Sequence, residues 1–239
     1  MVAAQPLPEI ESLRDARRSF TRARICAAAR EVFCTQGFAT ATLEQIAQAA
    51  GTRRSTVYNH FRDKDEILGA IAEDYGSCLI ELINQLPAPL PSRAEIDHWV
   101  RRVAAFSVRE RTPTVLLIRL GDLLEVPAAL EALGGRLITA LAARLPAFRR
   151  ALQPGPGQGL ALARASVVMQ QLGWACMHHI RQGDTGLAKD MLTVAAELFE
   201  RFVREGADEP AVAQSGGSAS EGAFRHAPGV AVADTKLGV

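Results

Sequence analysis

Apolar residues in this chain recur at intervals of three and four. Ile25, Ala29, Val32 and Phe33 do so, and so do Ile67, Leu68, Ile71, Ala72 and Tyr75. Near the end, Leu187, Ala188, Met191, Leu192, Ala195, Leu198, Phe199 and Phe202 keep the same period. That spacing stacks side chains on one face of an α-helix, and no segment shows the alternation of a half-buried strand. The period therefore predicts an all-α protein. Glycine and proline mark the breaks. Predicted helices cover about 17–36, a short one from Thr42 to Gly51, a third within 51–64, and a fourth capped by Asp63 that continues to about 84. After a break at Pro87, Pro89 and Pro91, five more follow near 93–111, 113–125, 127–145, 157–181 and 184–205. From Gly206 the chain turns to Gly, Ser, Ala and isolated charges, and 206–239 reads as a disordered tail.

An apolar share of 48% is ample for a core. The four cysteines (26, 34, 78 and 176) are widely spaced without a C-x-x-C pair, the pattern of a reduced, cytoplasmic protein. The first residues hold Pro6, Pro8, Glu9, Glu11 and Asp15 and no apolar run of signal-peptide length. Continuous apolar runs are very short, Val115 to Ile118 being one, so no membrane span is expected. No repeat of 20–50 residues is visible. Net charge is only +1, but between Arg14 and Arg62 stand nine arginines against Asp15, Glu31 and Glu44, a local +6. Such a field favours a polyanion, or else it is a solvated basic face; composition leaves both open.

Residues 51–64, G-T-R-R-S-T-V-Y-N-H-F-R-D-K, narrow the choice. Before them, Thr42 and Gln45 have capping-box spacing, and Leu43, Ile46, Ala47 and Ala50 form one apolar face that Gly51 ends. After them, Asp63 and Glu66 cap the next helix. Val57 and Phe61, four residues apart, point inward, and the rest of the segment is polar. Two short helices joined by a glycine-led turn fit a helix-turn-helix. The helix that enters a major groove needs donors for guanine O6 and N7, or an amide for adenine, near its start. Arg53, Arg54, Ser55, Thr56 and Asn59 supply that set. Flanking groups must hold phosphates, a role open to Thr42, Tyr58, His60 and Lys64. An ordinary polar helix face is the alternative, but such faces usually carry Lys, Glu and Gln, and no acid stands between Gly51 and Arg62.

Residues 29–68 resemble the DNA-binding domain of the TetR-type regulators. The resemblance rests on G-F after the first helix (37–38), T-x-x-x-I-A-x-x-A-G (42–51), and T-V-Y-x-H-F-x-x-K-x-x-I-L (56–68). It covers about the N-terminal quarter and implies a ligand-responsive, homodimeric transcription factor with one head per half-site. It also implies that Thr42, Tyr58, His60 and Lys64 touch phosphates. Such proteins often carry Ser or Thr where this chain has Arg53, capping the recognition helix, and Gly where it has Ser55. With arginine at 53, either Thr52 takes the cap or DNA itself holds that terminus.

The expected organisation is a flexible arm over 1–16, a three-helix helix-turn-helix domain over 17–66 whose last helix continues as a connector, a helical regulatory and dimerisation domain over 87–205, and the tail. The resemblance implies a homodimer paired through 157–205 as a four-helix bundle. The apolar stripes there serve equally to complete the intrachain core. Helices over 93–145 would enclose an apolar or amphipathic effector among Trp99, Val103, Phe106, Leu116, Leu120 and Leu123, with Met169, Trp174 and Met177 from the dimer side. Each of these is equally a plain core residue. Arg119, Asp122, Gln171 and His178 are candidates to orient a polar group. His178 and His179 are adjacent and diverge on a helix, so they make no metal pair. With no Cys/His cluster, phosphate loop or nucleophile motif, neither a catalytic site nor a cofactor is expected. The expectation is a repressor that releases a palindromic double-stranded operator when a small molecule fills the second domain. The alternatives are an effector-free DNA-binding architectural or protein-partnered regulator of the same fold and, less well supported, a helical enzyme with a DNA-binding head.

Overall fold

The computed structural model describes residues 13–155 and 157–208. Among the described residues ten helices follow one another: α1 (Leu13–Gln36), α2 (Leu43–Ala49), α3 (Arg54–Tyr58), α4 (Lys64–Asn84), α5 (Arg93–Arg109), α6 (Arg111–Gly121), α7 (Ala128–Arg144), α8 (Pro146–Leu152), α9 (Gln158–Gln182) and α10 (Gly186–Asp208). No strand occurs among the described residues. The all-α expectation is met, with differences at several ends: the helix expected over 113–125 is α6, Arg111–Gly121, with Pro113 inside its first turn. Residues 13–16, expected in a flexible arm, are the first turn of α1. Gly206 to Asp208, expected in the tail, are helical; the remainder of both segments lies outside the described residues. Helix α8 was not expected at all, because Pro146 reads as a helix stop. It stands instead at the first position of a new helix, where a missing N–H costs nothing.

Helix ends are closed by their own sequence. Thr42 accepts from the Gln45 amide at 3.3 Å while Gln45 Oε1 accepts from the Thr42 amide at 2.9 Å. Ser92 and Glu95 close α5 in the same reciprocal way. At the far end of α4, the Trp99 indole donates to the Leu82 carbonyl at 2.9 Å, and Arg144 donates to the Leu86 carbonyl just beyond. Side chains of α5 and α7 thus satisfy carbonyls that a helix end leaves open.

Two buried clusters organise the chain. One gathers Ile83 and Leu86 with residues of α5 and α7 to α10, centred on Phe148 and Phe199, neither exposed at all. Their rings stack with Trp99 and Phe202 at centroid separations of 4.9 to 5.7 Å. Gly206 lets α10 lie against Ala147 of α8, since any Cβ there would collide with that residue. The other cluster is built by α1 to α4, but α6 and the start of α7 enter it through Leu116, Leu117, Leu120, Leu130 and Leu133. Helix α6 therefore belongs to the N-terminal core although it lies in the second half of the sequence. At this seam Tyr75 Oη lies 3.0 Å from Thr114 Oγ1, which donates to the Glu110 carbonyl at 2.7 Å. Burial pushes the Tyr75 phenol up to about 12, leaving it a neutral hydrogen-bonding group near pH 7.

Truncating a fully enclosed ring removes transfer energy and leaves a cavity. Phe199→Ala should lower unfolding stability by about 3–5 kcal/mol. Leu124→Ser, at a side chain 96% exposed, should change it by less than about 0.5 kcal/mol. Urea denaturation followed by circular dichroism measures both.

Candidate nucleic-acid interface

The turn between α2 and α3 depends on one glycine. Gly51 takes φ +59°, a left-handed conformation that side chains with a Cβ disfavour, and the Thr52 amide then reaches back to the Ala47 carbonyl at 2.9 Å. The chain leaves that turn extended at Arg53, the N-cap of α3, and no side chain caps this terminus. Thr52 thus does not take the cap. Helix α3 spans only Arg54–Tyr58, shorter than the segment suggested, and Asn59 closes it.

Burial separates the two faces of the segment as the sequence requires. Val57 is fully enclosed and Phe61 is 1% exposed. Arg53, Arg54, Ser55, Tyr58 and Asn59 are exposed, and Thr56 and His60 are half-buried. Arg54 donates to the Tyr58 hydroxyl at 3.1 Å, one turn along, so arginine and phenol occupy a single face. Thr42 is exposed at the start of α2. A row of donors, anchored from behind by two apolar side chains, is what a groove-reading helix presents.

Two basic residues have structural duties that spacing did not reveal. Lys64 Nζ donates to the carbonyls of Phe38 and Ala39 at 2.8 and 2.7 Å and sits 5.0 Å above the Phe38 ring. An ammonium has three donors, so one remains for a phosphate. Arg22 of α1 lies 4.2 Å above the Phe61 ring and donates to the His60 carbonyl at 3.1 Å, fastening the end of α3 to α1. In the sequence Arg22 stands out only as charge, because its spacing of 38 residues from His60 carries no local signal. Arg62 is paired with Asp63 at 3.0 Å, and Asp63 accepts from the Glu66 amide at 2.8 Å as the cap of α4.

His60 has no hydrogen-bond partner for its buried Nδ1. Burial holds its pKa below the ordinary 6.5, and Arg18 and Arg22 push it the same way. Below that value the unfolded chain takes up a proton more readily than the folded one. The His60 contribution to stability is therefore lost as pH falls through the lowered pKa.

The proposed effector lining fares differently. A cavity of about 400 Å³ opens between α1, α6 and α9, and of the nine apolar candidates only Trp174 and Met177 line it. Arg119 and Asp122, two of the four polar candidates, stand on its wall with Val115 and Ile118, which the sequence reading passed over. Trp99, Val103 and Phe106 are buried packing residues, Leu116 and Leu120 belong to the N-terminal cluster, and Met169 packs against the C-terminal one. Leu123 is 48% exposed beyond α6. Gln171 and His178 do not line the cavity. Helical period shows that a residue faces inward but not which neighbour it meets. Among the described residues no group of three or more His, Cys, Asp or Glu could hold a metal, and no helix is long and apolar enough to cross a membrane.

The family described as bacterial regulatory proteins, tetR family, matches residues 25–71, which hold the second half of α1, all of α2 and α3, and the start of α4. Over these residues the chain is of the tetR type. Over 51 residues it is 55% identical to the HTH-type transcriptional regulator SrpR of Pseudomonas putida, a stretch that takes in 21% of this chain and 24% of the relative. Over 77 residues it is 36% identical to the HTH-type transcriptional regulator TtgR, also of Pseudomonas putida, covering 32% of this chain and 35% of the relative. These matches thus span only about a quarter to a third of the relatives. The fold extends further than the identity: FadR from Bacillus halodurans, a fatty acid degradation regulator, superposes with a TM-score of 0.55 over 77% of this chain and 94% of its own, at 14% identity.

Lys64→Ala removes two hydrogen bonds that fasten the loop between α1 and α2. It should lower stability by about 1–3 kcal/mol in the absence of DNA, as read by thermal or urea denaturation. A role confined to phosphate would leave the denaturation curve in place.

Proposed function

We propose that this TetR-type chain is a homodimeric transcriptional repressor whose two α3 helices read a palindromic operator and whose affinity for it falls when a small molecule binds. The observation that carries the reading is the division of the segment around α3: Val57 and Phe61 enclosed, Arg53, Arg54, Ser55, Tyr58 and Asn59 presented outward. Arg53, Arg54, Ser55, Thr56 and Asn59 read base edges. Thr42, Tyr58, His60 and the remaining donor of Lys64 hold phosphates. The start of α3, which no side chain caps, leaves that terminus for DNA to hold.

Support for the dimer comes from side chains that the folded chain leaves uncovered. On α9, Leu160, Val167 and Trp174 stand seven residues apart and are 59%, 53% and 43% exposed. On α10, Leu187, Val194 and Leu198 are 58%, 51% and 37% exposed. Two neighbouring helices each keep an apolar stripe free of the intrachain core, the face that a four-helix bundle with a second copy would bury. A single head offers little contact surface, so pairing also gives the affinity that specific binding needs.

Selection from random DNA followed by footprinting tests the function. The expected site has two-fold symmetry with half-sites about 34–36 Å apart; an asymmetric single half-site would refute the reading. Arg54→Ala should relax base preference within each half-site by about 1–3 kcal/mol. Loss of affinity that is equal for all sequences would instead make Arg54 a phosphate contact. Val167→Arg with Val194→Arg should convert the protein to monomers in sedimentation and remove the symmetric footprint.

A further inference from the structure

The cavity beside Trp174 has a neighbour. A second cavity, of about 650 Å³, lies between α1, the end of α2 and the junction of α5 with α6. The two share Glu31, Arg111 and Thr112 as a common wall. Both volumes fall in the range of small-molecule sites, roughly 300–1,000 Å³. Their chemistry is graded. The end nearest α9 offers Val115, Ile118, Trp174, Met177 and Ile180. Around Arg111 the second cavity adds Arg24, Arg30 and Arg109. Together the walls carry six arginines and three carboxylates. Of these arginines only Arg109 has an ion pair among the described residues, a 3.6 Å contact with Glu110.

We propose that this double cavity is the effector site, and that its ligand is an amphipathic organic anion. The apolar part lies along Trp174, Met177, Val115 and Ile118, and the anionic group is held at Arg111, which both cavities share and where four arginines stand against Glu31 and Glu110. Arg111, Val115, Ile118 and Arg119 recur on one face of α6, so head-group and tail contacts come from a single rigid element. Unpaired guanidiniums suit a carboxylate, sulfonate or phosphate, which they grip through paired N–H donors. The inference rests on the regulator reading above and deepens it. Because Glu31 and Cys34 of α1 form the opposite wall, the ligand touches the DNA-binding head and the body at once. It can bias their relative pose without a relay through the core.

The test compares decanoate with decanol, probes that share an alkyl tail and differ in charge. Of the two tryptophans, Trp174 lines this cavity and Trp99 is enclosed in the C-terminal core, so a ligand along α9 should change the emission of Trp174 alone. The expected result is saturable binding of decanoate at one per protomer, about tenfold tighter than decanol. Arg111→Gln, at an exposed side chain, should abolish that preference while leaving decanol binding and the circular dichroism spectrum unchanged. Equal binding of the two probes, a preference that survives Arg111→Gln, or no binding of either would overturn the proposal. A parallel titration of the protein–DNA complex separates the two readings. Release by a cell extract with no response to decanoate overturns this inference and leaves the regulator standing, whereas a complex indifferent to both counts against the effector reading as well.

Discussion

The N-terminal head cannot complete its core from its own helices. Leu116, Leu117 and Leu120 of α6 are buried among Ile25, Phe33, Ile67 and Ile71, side chains that the head would otherwise expose to water. Each such side chain is worth about 1.5–3 kcal/mol when fully buried, so the seam contributes on the scale of a domain's whole net stability. Packed interfaces of this density do not deform smoothly; they hold one arrangement or move to another. Any displacement of α6 is therefore felt by α1 and α4, and through them by α2 and α3. The Tyr75–Thr114 hydrogen bond adds a directional restraint to the same seam, one that an apolar contact would lack.

Anchors from neighbouring segments explain why α3 can be so short. A five-residue helix has almost no intrinsic stability in water. Here α3 is held from behind by Val57 and Phe61, at its end by Arg22 on the His60 carbonyl, and at its start by the Gly51 turn. Lys64 fixes the loop between α1 and α2 to the start of α4. The exposed donors therefore sit on a scaffold whose order is set elsewhere, and in the proposed DNA complex less ordering entropy would be lost.

What was legible in the sequence was local. The capping box at Thr42 and Gln45, the Asp63 cap, the Gly51 turn and the inward pair Val57 and Phe61 each depend on residues a few positions apart, and a single sequence displays those spacings. The hidden features are pairings across the chain. Nothing near Lys64 announces the carbonyls 25 and 26 residues away, and nothing in α6 says that Leu116 and Leu120 face the head while Val115 and Ile118 face a cavity. Periodicity gave the inward direction, and only packing names the neighbour. Helix α8 escaped for a different reason: a proline is compatible both with the end of one helix and with the first turn of the next.

The last helix shows how the two kinds of information combine. Its apolar stripe runs from Leu187 to Phe202 without a break in period, which the sequence could assign either to the intrachain core or to a second copy. Packing divides the stripe: Ala188, Leu192, Ala195, Phe199 and Phe202 are buried, and Leu187 and Leu198 are left outside with Val194. An apolar face wider than the core requires is costly to leave in water. Trp174 belongs both to the corresponding face of α9 and to the wall of the cavity between α1 and α6. In the proposed dimer its indole would be shared between subunit contact and ligand contact, so whatever moved it would act on the distance between the two heads and on α6 together. A palindromic operator is sensitive to that distance, because both recognition helices must meet their grooves at once.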